Sequence, residues 1–437
     1  MTKAEYKRRR QRLLETIGKE SVALVAAAPP KLRTAGVHYP YRQDSDFLYL
    51  TGFPEPEALL VLAPGQKEGA FALFCRSQSE TQALWEGPRA GVEGAKRIYG
   101  ADQAYDIQQL GAELPKLLAN RSQLYLPLET EETGLLDRVR QALGQVPPGS
   151  RNPKTWTDLG TVLHEQRLRK SKAEQQRLRR AARISADAHR KLMTYCRPGR
   201  WEYELEAEFS HACALQGGRF QAYPPIVGGG ERGCILHYGD NAHRLRDGEL
   251  VLVDAGCEWA GYASDITRTY PVNGRFSPPQ RALYELVLAA QEAAIAKAVP
   301  GNRWNEPHEA AVQVLTQGLV KLGILKGNRR SVPKLIRAEA YKPYFIHRTG
   351  HWLGLDVHDP GEYKQGESWR VLEPGMVFTV EPGLYFSPTR TEVPQIYRGM
   401  GIRIEDTLLI TETGHEVLSA RAPKTVRAIE QQMVKGR

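Results

Sequence analysis

The stretch GELVLVDAGCEWAGYASDITRTYPV, residues 248–272, limits what this chain can fold into more than any other. Two β-rich runs flank the short segment CEWAG, and two such runs at that separation read as an antiparallel hairpin. A turn centred between Trp259 and Ala260 makes Asp254 and Asp265 direct cross-strand neighbours, with Cβ atoms roughly 4.5–5.5 Å apart, and like charges so placed are destabilising. A turn shifted along the chain leaves them diagonal neighbours, still close. Either one aspartate is a turn residue open to water, or a divalent cation lies between the two carboxylates.

Two more acids repeat the pattern. Glu381 ends the nearly continuous apolar run of VFTVEPGLYF, where an unpaired carboxylate is costly. In GIRIEDTLLIT, alternation puts Arg403, Glu405 and Thr407 on one face and Ile402 and Ile404 on the other, so Glu405 is either half of an ion pair or a ligand. The segment HRTGHWLGLDVHD adds His347, His351 and His358. Two of these are four apart, as in the zinc motif H-E-x-x-H, but no Glu follows the first. Gly350, Gly354 and the alternation of Leu353, Leu355 and Val357 favour a strand over a helix. Spacing alone leaves these histidines open as metal ligands, proton carriers or polar core residues. Taken together, two aspartates, two glutamates and an imidazole suit two first-row ions such as manganese, iron, cobalt or zinc. Such a pair, about 3.5–4 Å apart, activates a bridging hydroxide and polarises a carbonyl for hydrolysis.

GGGERG at 228–233 satisfies the dinucleotide fingerprint G-x-G-x-x-G but is followed by CILHYGDN, which reads as strand and turn. The fingerprint needs a helix there to meet pyrophosphate, so these glycines are expected at turns or a close backbone approach.

At 437 residues the chain is long enough for two cores. The runs SVALVAAAP, FLYLTGF, EALLVLAP and GAFALFC read as strands, and GAELPKLLAN and LLDRVRQAL as helices, giving an α/β domain over 1–152 that ends in the Pro/Gly-rich QVPPGSRNPKT. A linker-helix region over 153–172 follows. The second domain, 173–437, opens on an S-x-x-E capping box at Ser171 and Glu174, with Leu178, Ala181, Ile184, Ala188 and Leu192 at helical spacing. Strand-like runs then dominate, interrupted by helices at 278–299 and 305–323, so this domain is α+β with antiparallel pairing.

Net charge is +10, concentrated in YKRRRQRL and in RLRKSKAEQQRLRRAARIS at 167–185. Apolar residues interleave there at helical spacing, which favours solvated helix faces over a nucleic-acid surface. Five cysteines without a C-x-x-C pair suit reduced thiols, and no leader-like or 18-residue apolar run is present. A cytoplasmic protein with no membrane and no nucleic-acid partner is expected.

The motifs VDAGCEWAGYASDITRTYPV, HRTGHWLGLDVHD, EPGMVFTVEPGLY and GIRIEDT, in this order and spacing, resemble the metal-site motifs of the pita-bread metallopeptidases, specifically the aminopeptidase P (Xaa-Pro aminopeptidase) family. HYPYRQDSDFLYLTGFPEPEALLVL and the join at 167–185 are similar to the same family, so the resemblance spans almost the whole chain. It implies an α/β N-terminal domain and an α+β pita-bread catalytic domain with a curved antiparallel sheet. It makes Asp254, Asp265, His351, Glu381 and Glu405 the ligands of a dinuclear centre, usually manganese. Asp265 and Glu405 would bridge, Asp254 would complete one ion, and His351 with Glu381 the other. His237, His347 and His358 would be pocket residues, the last two donating to substrate or tetrahedral intermediate, while Arg403 orients the metal carboxylate of Glu405. The implied reaction is removal of the residue preceding proline from the N-terminus of a peptide, by a hydroxide bridging the ions, with Glu381 shuttling its proton to the prolyl nitrogen.

Arg348 and Thr349 depart from the family pattern, which carries smaller residues there; this bears on pocket shape. Trp85 in ALWEGPRAG resembles an aromatic that caps a neighbouring subunit's active site, implying a homo-oligomer, dimer or tetramer; the alternative is a half-buried core Trp. Prolidase shares the ligands but cuts dipeptides only. Creatinase lacks the metal carboxylates, and RNA-binding relatives tend to lose ligands that are intact here.

Overall fold

The computed structural model describes residues 1–128 and 134–436. The chain divides into two compact units, Met1–Gln166 and Arg167–Arg437.

The first unit is built on a six-stranded mixed sheet. Its spatial order is Gln103–Asp106, Phe71–Cys75, Leu59–Leu62, Ser21–Ala26, Gln123–Leu126 and Thr155–Asp158. The middle three strands pair antiparallel, and the outer pairings are parallel. The central strands are buried end to end, as expected of apolar runs covered on both faces. The Pro/Gly-rich segment before Thr155 therefore runs within this unit, and the units divide after Gln166.

One expected strand is a helix. The FLYLT of FLYLTGF lies in the helix Ser45–Thr51, because Asp44 accepts a hydrogen bond from the Phe47 amide at 2.7 Å and Gly52, at φ 68°, closes the C-terminus. The basic opening helix Lys3–Ile17 also differs from a solvated face: Arg9 and Arg10 are buried, donating to the carbonyls of Tyr49 and Leu50 and stacking on Tyr49 and Phe71.

The second unit is α+β, and every strand pair among its described residues is antiparallel. One sheet holds Ile226–Gly229, Leu250–Asp254 and Thr267–Pro271; another holds Val377–Val380, Asp406–Ile410 and His415–Val417; Gly383–Phe386 pairs with Met400–Arg403. The helices Lys172–Tyr195, Glu202–Ala214, Pro278–Lys297 and Asn305–Lys321 share one hydrophobic core with these strands. The capping box of Ser171 and Glu174 forms, and Leu178, Ala181, Ile184, Ala188 and Leu192 face inward. Where the two central helices meet, a Cβ at Gly318 would lie 2.1 Å from Leu286 Cδ1, so a larger residue there would displace the Leu286 side chain.

GGGERG itself ends in a short 3₁₀ turn, Gly230–Cys234, and the next element after it is the strand Leu250–Asp254, not a helix. The glycines serve backbone proximity: a Cβ on Gly228 would lie 2.9 Å from the Arg232 backbone.

Candidate metal centre and active-site cavity

The hairpin turns one residue later than its centre between Trp259 and Ala260 would require. Trp259 pairs with Tyr262 across a two-residue loop in which Ala260 and Gly261 have φ of 52° and 87°, the mirror-image turn that matches strand twist. Asp254 therefore faces Thr267, and Asp265 lies opposite Gly256, diagonal to Asp254. Regular pairing lapses there: a Cβ on Gly256 would strike the Ser264 carbonyl oxygen at 1.8 Å. The two carboxylates still converge, because the Tyr223 hydroxyl lies 2.7 Å from Asp254 Oδ1 and 2.5 Å from Asp265 Oδ1.

The histidine segment is not a regular strand. Residues 349–353 run antiparallel to Val377–Val380: Glu381 N–H donates to the Thr349 carbonyl at 2.8 Å, Thr379 to His351 at 3.0 Å and Leu353 to Val377 at 3.0 Å. A Cβ on Gly350 would sit 1.9 Å from the Thr379 carbonyl oxygen, so glycine is required there. Beyond Leu353 the chain bends instead of extending. Asp359, buried with Lys170 Nζ at 3.0 Å and Arg167 Nη2 at 2.6 Å, accepts the Asp356 amide and so fixes the bend that carries His358.

These elements surround a cavity of about 590 Å³. Asp254, Asp265, His347, His351, His358, His237, Glu381, Arg403 and Glu405 all line it, with Tyr223, Pro224, Ile226, Leu236 and Val357 as an apolar and aromatic wall. Ligand atoms of Asp265, His351 and Glu405 lie within 4.8 Å of one another. His351 Nδ1 donates to the Trp352 carbonyl at 3.0 Å, which leaves Nε2 aimed at Asp265 Oδ2 and Glu381 Oε1, each at 3.4 Å. Anchoring one ring nitrogen on an acceptor to present the other is how imidazoles are oriented toward metals.

Electrostatics describe a site short of positive charge. Burial pushes Glu405 well above the carboxylate range, reinforced by Asp265, Glu381 and Asp254. Burial likewise raises Glu381 to about 7 against the pull of His351 and Arg403. Asp254 is raised by burial, opposed by Arg403. Burial also works against charge on Asp265, but hydrogen bonds from His351 and Tyr223 bring it below its ordinary value. His351 is disfavoured as a cation by burial, yet Asp265 and Glu381 push it up to about 9. Four carboxylates thus share Arg403 and one imidazole, and the donor set of oxygens with one nitrogen fits divalent first-row cations.

Arg403 does not touch Glu405. Its Nη2 donates to Asp254 Oδ2 at 2.6 Å and its Nε to Thr267 Oγ1 at 3.2 Å; the Thr267 hydroxyl in turn donates to Glu405 Oε2 at 2.9 Å. The expected partner is therefore reached through Thr267, since Asp254 stands across the strands from Thr267 and intercepts the guanidinium. His347 is also more engaged than expected: Nδ1 donates to the Arg348 carbonyl and Nε2 accepts from the Tyr385 hydroxyl, both at 2.8 Å, while Tyr385 accepts from Arg403 at 3.0 Å. Burial and Arg403 push His347 down to about 4, consistent with a neutral ring. His358 is exposed at the cavity, its ring 4.4 Å from that of His351, and His237, also exposed, lines the same cavity from the turn after Cys234.

Tyr223, Tyr385, Thr267 and Thr379 escaped the sequence reading. Tyr385 carried a usable signal, since it shares strand parity with Gly383, which pairs with Arg403. Tyr223 lies in an irregular approach to a strand, and nothing local marks it.

The profile of metallopeptidase family M24 matches residues 176–412, and that of the aminopeptidase P N-terminal domain matches residues 6–125. The chain belongs to metallopeptidase family M24. It is 47% identical to the Xaa-Pro aminopeptidase of Escherichia coli, over 100% of this chain and 99% of that one, and 44% identical to the Xaa-Pro aminopeptidase of Haemophilus influenzae, over 99% and 98%. Among solved structures, the aminopeptidase PepP of Pseudomonas aeruginosa superposes with a TM-score of 0.96 at 48% identity, covering 100% of this chain and 99% of that one. The M24 match falls on the α+β pita-bread unit and contains the whole cavity. Among the described residues no helix is long and apolar enough to cross a membrane.

Proposed function

We propose that this M24 member is a metal-dependent exopeptidase that removes the N-terminal residue from peptides with proline in second position. The observation that carries the reading is the convergence of four carboxylates, Asp265 and Glu405 buried and Asp254 and Glu381 partly so, and one oriented imidazole in a single cavity, in a chain alike end to end to proteins named Xaa-Pro aminopeptidase. Asp254, Asp265, His351, Glu381 and Glu405 would hold two divalent ions, manganese first, with zinc, cobalt and iron suiting the same donors. When bound, such ions supply Lewis acidity and lower the pKa of water.

The chain's own residues do the rest. Glu381, tethered by the Thr379 hydroxyl at 3.1 Å, takes the proton of the attacking water and returns it to the prolyl nitrogen, which as a tertiary amide has none of its own. Arg403 and Tyr385 fix Asp254 and His347 in one hydrogen-bonded chain. His358 and His237, open to the cavity, face the substrate and the oxyanion that develops on its carbonyl. The apolar wall of Ile226, Leu236 and Val357 suits the prolyl ring.

A cytoplasmic location agrees with five free cysteines. A homo-oligomer, dimer or tetramer, agrees with Leu84 and Trp85, which stand 89% and 87% exposed on the helix Glu80–Glu86. The test is metal analysis of the purified protein with hydrolysis of an Xaa-Pro-Xaa tripeptide and an Xaa-Pro dipeptide, before and after chelation. Tripeptide cleavage lost on chelation and restored by manganese is expected. Activity on the dipeptide alone would make it a prolidase, and activity indifferent to chelation would refute the dinuclear reading.

A further inference from the structure

Arg348 lies between two histidines of the cavity, lines the cavity itself and is exposed. Its guanidinium carbon sits 4.9 Å from the centre of the Trp369 ring, and Lys364 Nζ sits 4.9 Å from the same centre. Trp369 and Lys364 face each other across the small hairpin Lys364–Gln365/Ser368–Trp369, so the register of that hairpin fixes the lysine against the indole. Each cation is attracted by the ring, but the two repel each other, and neither forms a salt bridge among the described residues. Such a pair is a place for an anion to bind.

The cavity is thus polarised. Its lining carries Asp254, Asp265, Glu381 and Glu405 with Arg403 among them and, apart from these, Arg348, while Lys364 packs on the same Trp369 ring outside the lining. A short peptide is polarised in the same sense, with its ammonium at one end and its carboxylate at the other.

We infer that Arg348, braced on Trp369 beside Lys364, is a specificity residue that binds a carboxylate on the substrate downstream of proline. The inference rests on the exopeptidase reading for the direction in which the peptide lies. The carboxylate comes either from the C-terminus of a short peptide or from an Asp or Glu side chain after proline; the chemistry at the guanidinium is the same. The anionic group contributes to binding and takes no part in bond cleavage, so its effect belongs in KM and not in kcat.

Two measurements test this. In the first, the manganese-loaded enzyme is assayed on Ala-Pro-Ala as free acid and as amide, and on the amides Ala-Pro-Glu-Ala and Ala-Pro-Gln-Ala. The free acid is expected to exceed its amide by about fivefold in kcat/KM, through KM, and the contrast to shrink toward unity in Arg348→Gln and in half-molar salt. Arg348→Lys should keep part of it. A Glu-over-Gln preference without an acid-over-amide preference assigns the site to acidic side chains, and the reverse assigns it to the C-terminus. In the second, calorimetry compares the dipeptides Pro-Ala and Pro-Ala-amide, which need no turnover. Tighter binding of the acid by the wild type but not by Arg348→Gln supports the inference even if no peptide is cleaved, a result that would sink only the exopeptidase reading. Equal acid-to-amide ratios in wild type and Arg348→Gln, in rates and in binding, overturn it.

Discussion

Glu405 and Asp406 are adjacent in the chain, both buried, and opposite in circumstance. Asp406 points into the core behind the cavity, where Arg268 Nη2 at 2.7 Å, Lys424 Nζ at 2.8 Å, the Ser419 hydroxyl at 2.6 Å and Gln291 satisfy it. Burial alone would raise it, but Arg268 and Lys424 hold it down at about 2. Glu405 points into the cavity toward three other carboxylates and is driven well above the ordinary range. Burial of an acid therefore does not mark a functional site; the balance of its neighbours does. Asp406 and Asp359 are paired with cations the chain provides, whereas the four cavity acids need a cation from outside.

The largest effect that could break this contrast is at His351. His351→Ala is expected to remove bound metal and lower kcat/KM by at least about 1,000-fold, with the fold retained, because the site's charges are held for chemistry. Metal analysis and circular dichroism would check it; full metal content in the variant would contradict the ligand set. Next is Asp406→Ala, whose cost should fall on stability. It strands Arg268, which is fully buried, and a broken buried pair costs about 3–5 kcal/mol in denaturant unfolding. The native Asp406 pKa lies below the unfolded value, so its contribution is present above pH 4 and lost as pH falls toward 2; the wild type should lose stability over that window and the variant should lose less. If Asp406→Ala unfolded like wild type but abolished metal binding, the division between the two acids would be wrong.

His189 offers the uncharged counterpart. It is fully buried in the helix Lys172–Tyr195, donates Nε2–H to the Ala255 carbonyl at 3.0 Å, and is pushed down to about 4 by burial. A histidine whose folded pKa is depressed binds its proton more readily when unfolded, so stability should fall as pH drops from about 6.5 to 4, by up to about 3 kcal/mol. Unfolding of His189→Phe across that range should show a shallower slope, whatever its absolute stability.

Much of the site was legible because strand geometry is local. Glu381 follows an apolar run, and alternation alone put Arg403 and Glu405 on one face, where the cavity holds both. The hairpin centre was misplaced by one residue because Ala260 adopts a left-handed conformation that its side chain disfavours, and the Gly261 beside it was the better guide. The helix Ser45–Thr51 was hidden because its stretch FLYL at 47–50 is aromatic and apolar, a composition that fits a strand, while its caps are single residues outside the run. Arg9 and Arg10 read as solvent-facing because the partners that bury them, Tyr49, Leu50 and Phe71, lie tens of residues away. Tyr223 was beyond reach for the same reason: its role exists only once Asp254 and Asp265 have been folded beside it.

The smallest expected effect separates the histidines from one another. His351 and His358 have rings 4.4 Å apart at 87°, yet only His351 is oriented by a backbone acceptor toward the acids. His358 rides the bend fixed by Asp359 and faces open cavity. Burial and the neighbouring His351 lower its pKa, which favours the neutral ring that the proposed donor role requires. His358→Ala should then keep full metal content and lose about tenfold to a hundredfold in kcat, the range expected for one donor to a developing charge. His358→Gln, which keeps an N–H at similar reach, should recover part of that loss. Metal lost along with rate in His358→Ala would place this histidine with the cation-holding acids, and the line drawn between holding the cation and meeting the substrate would have to move.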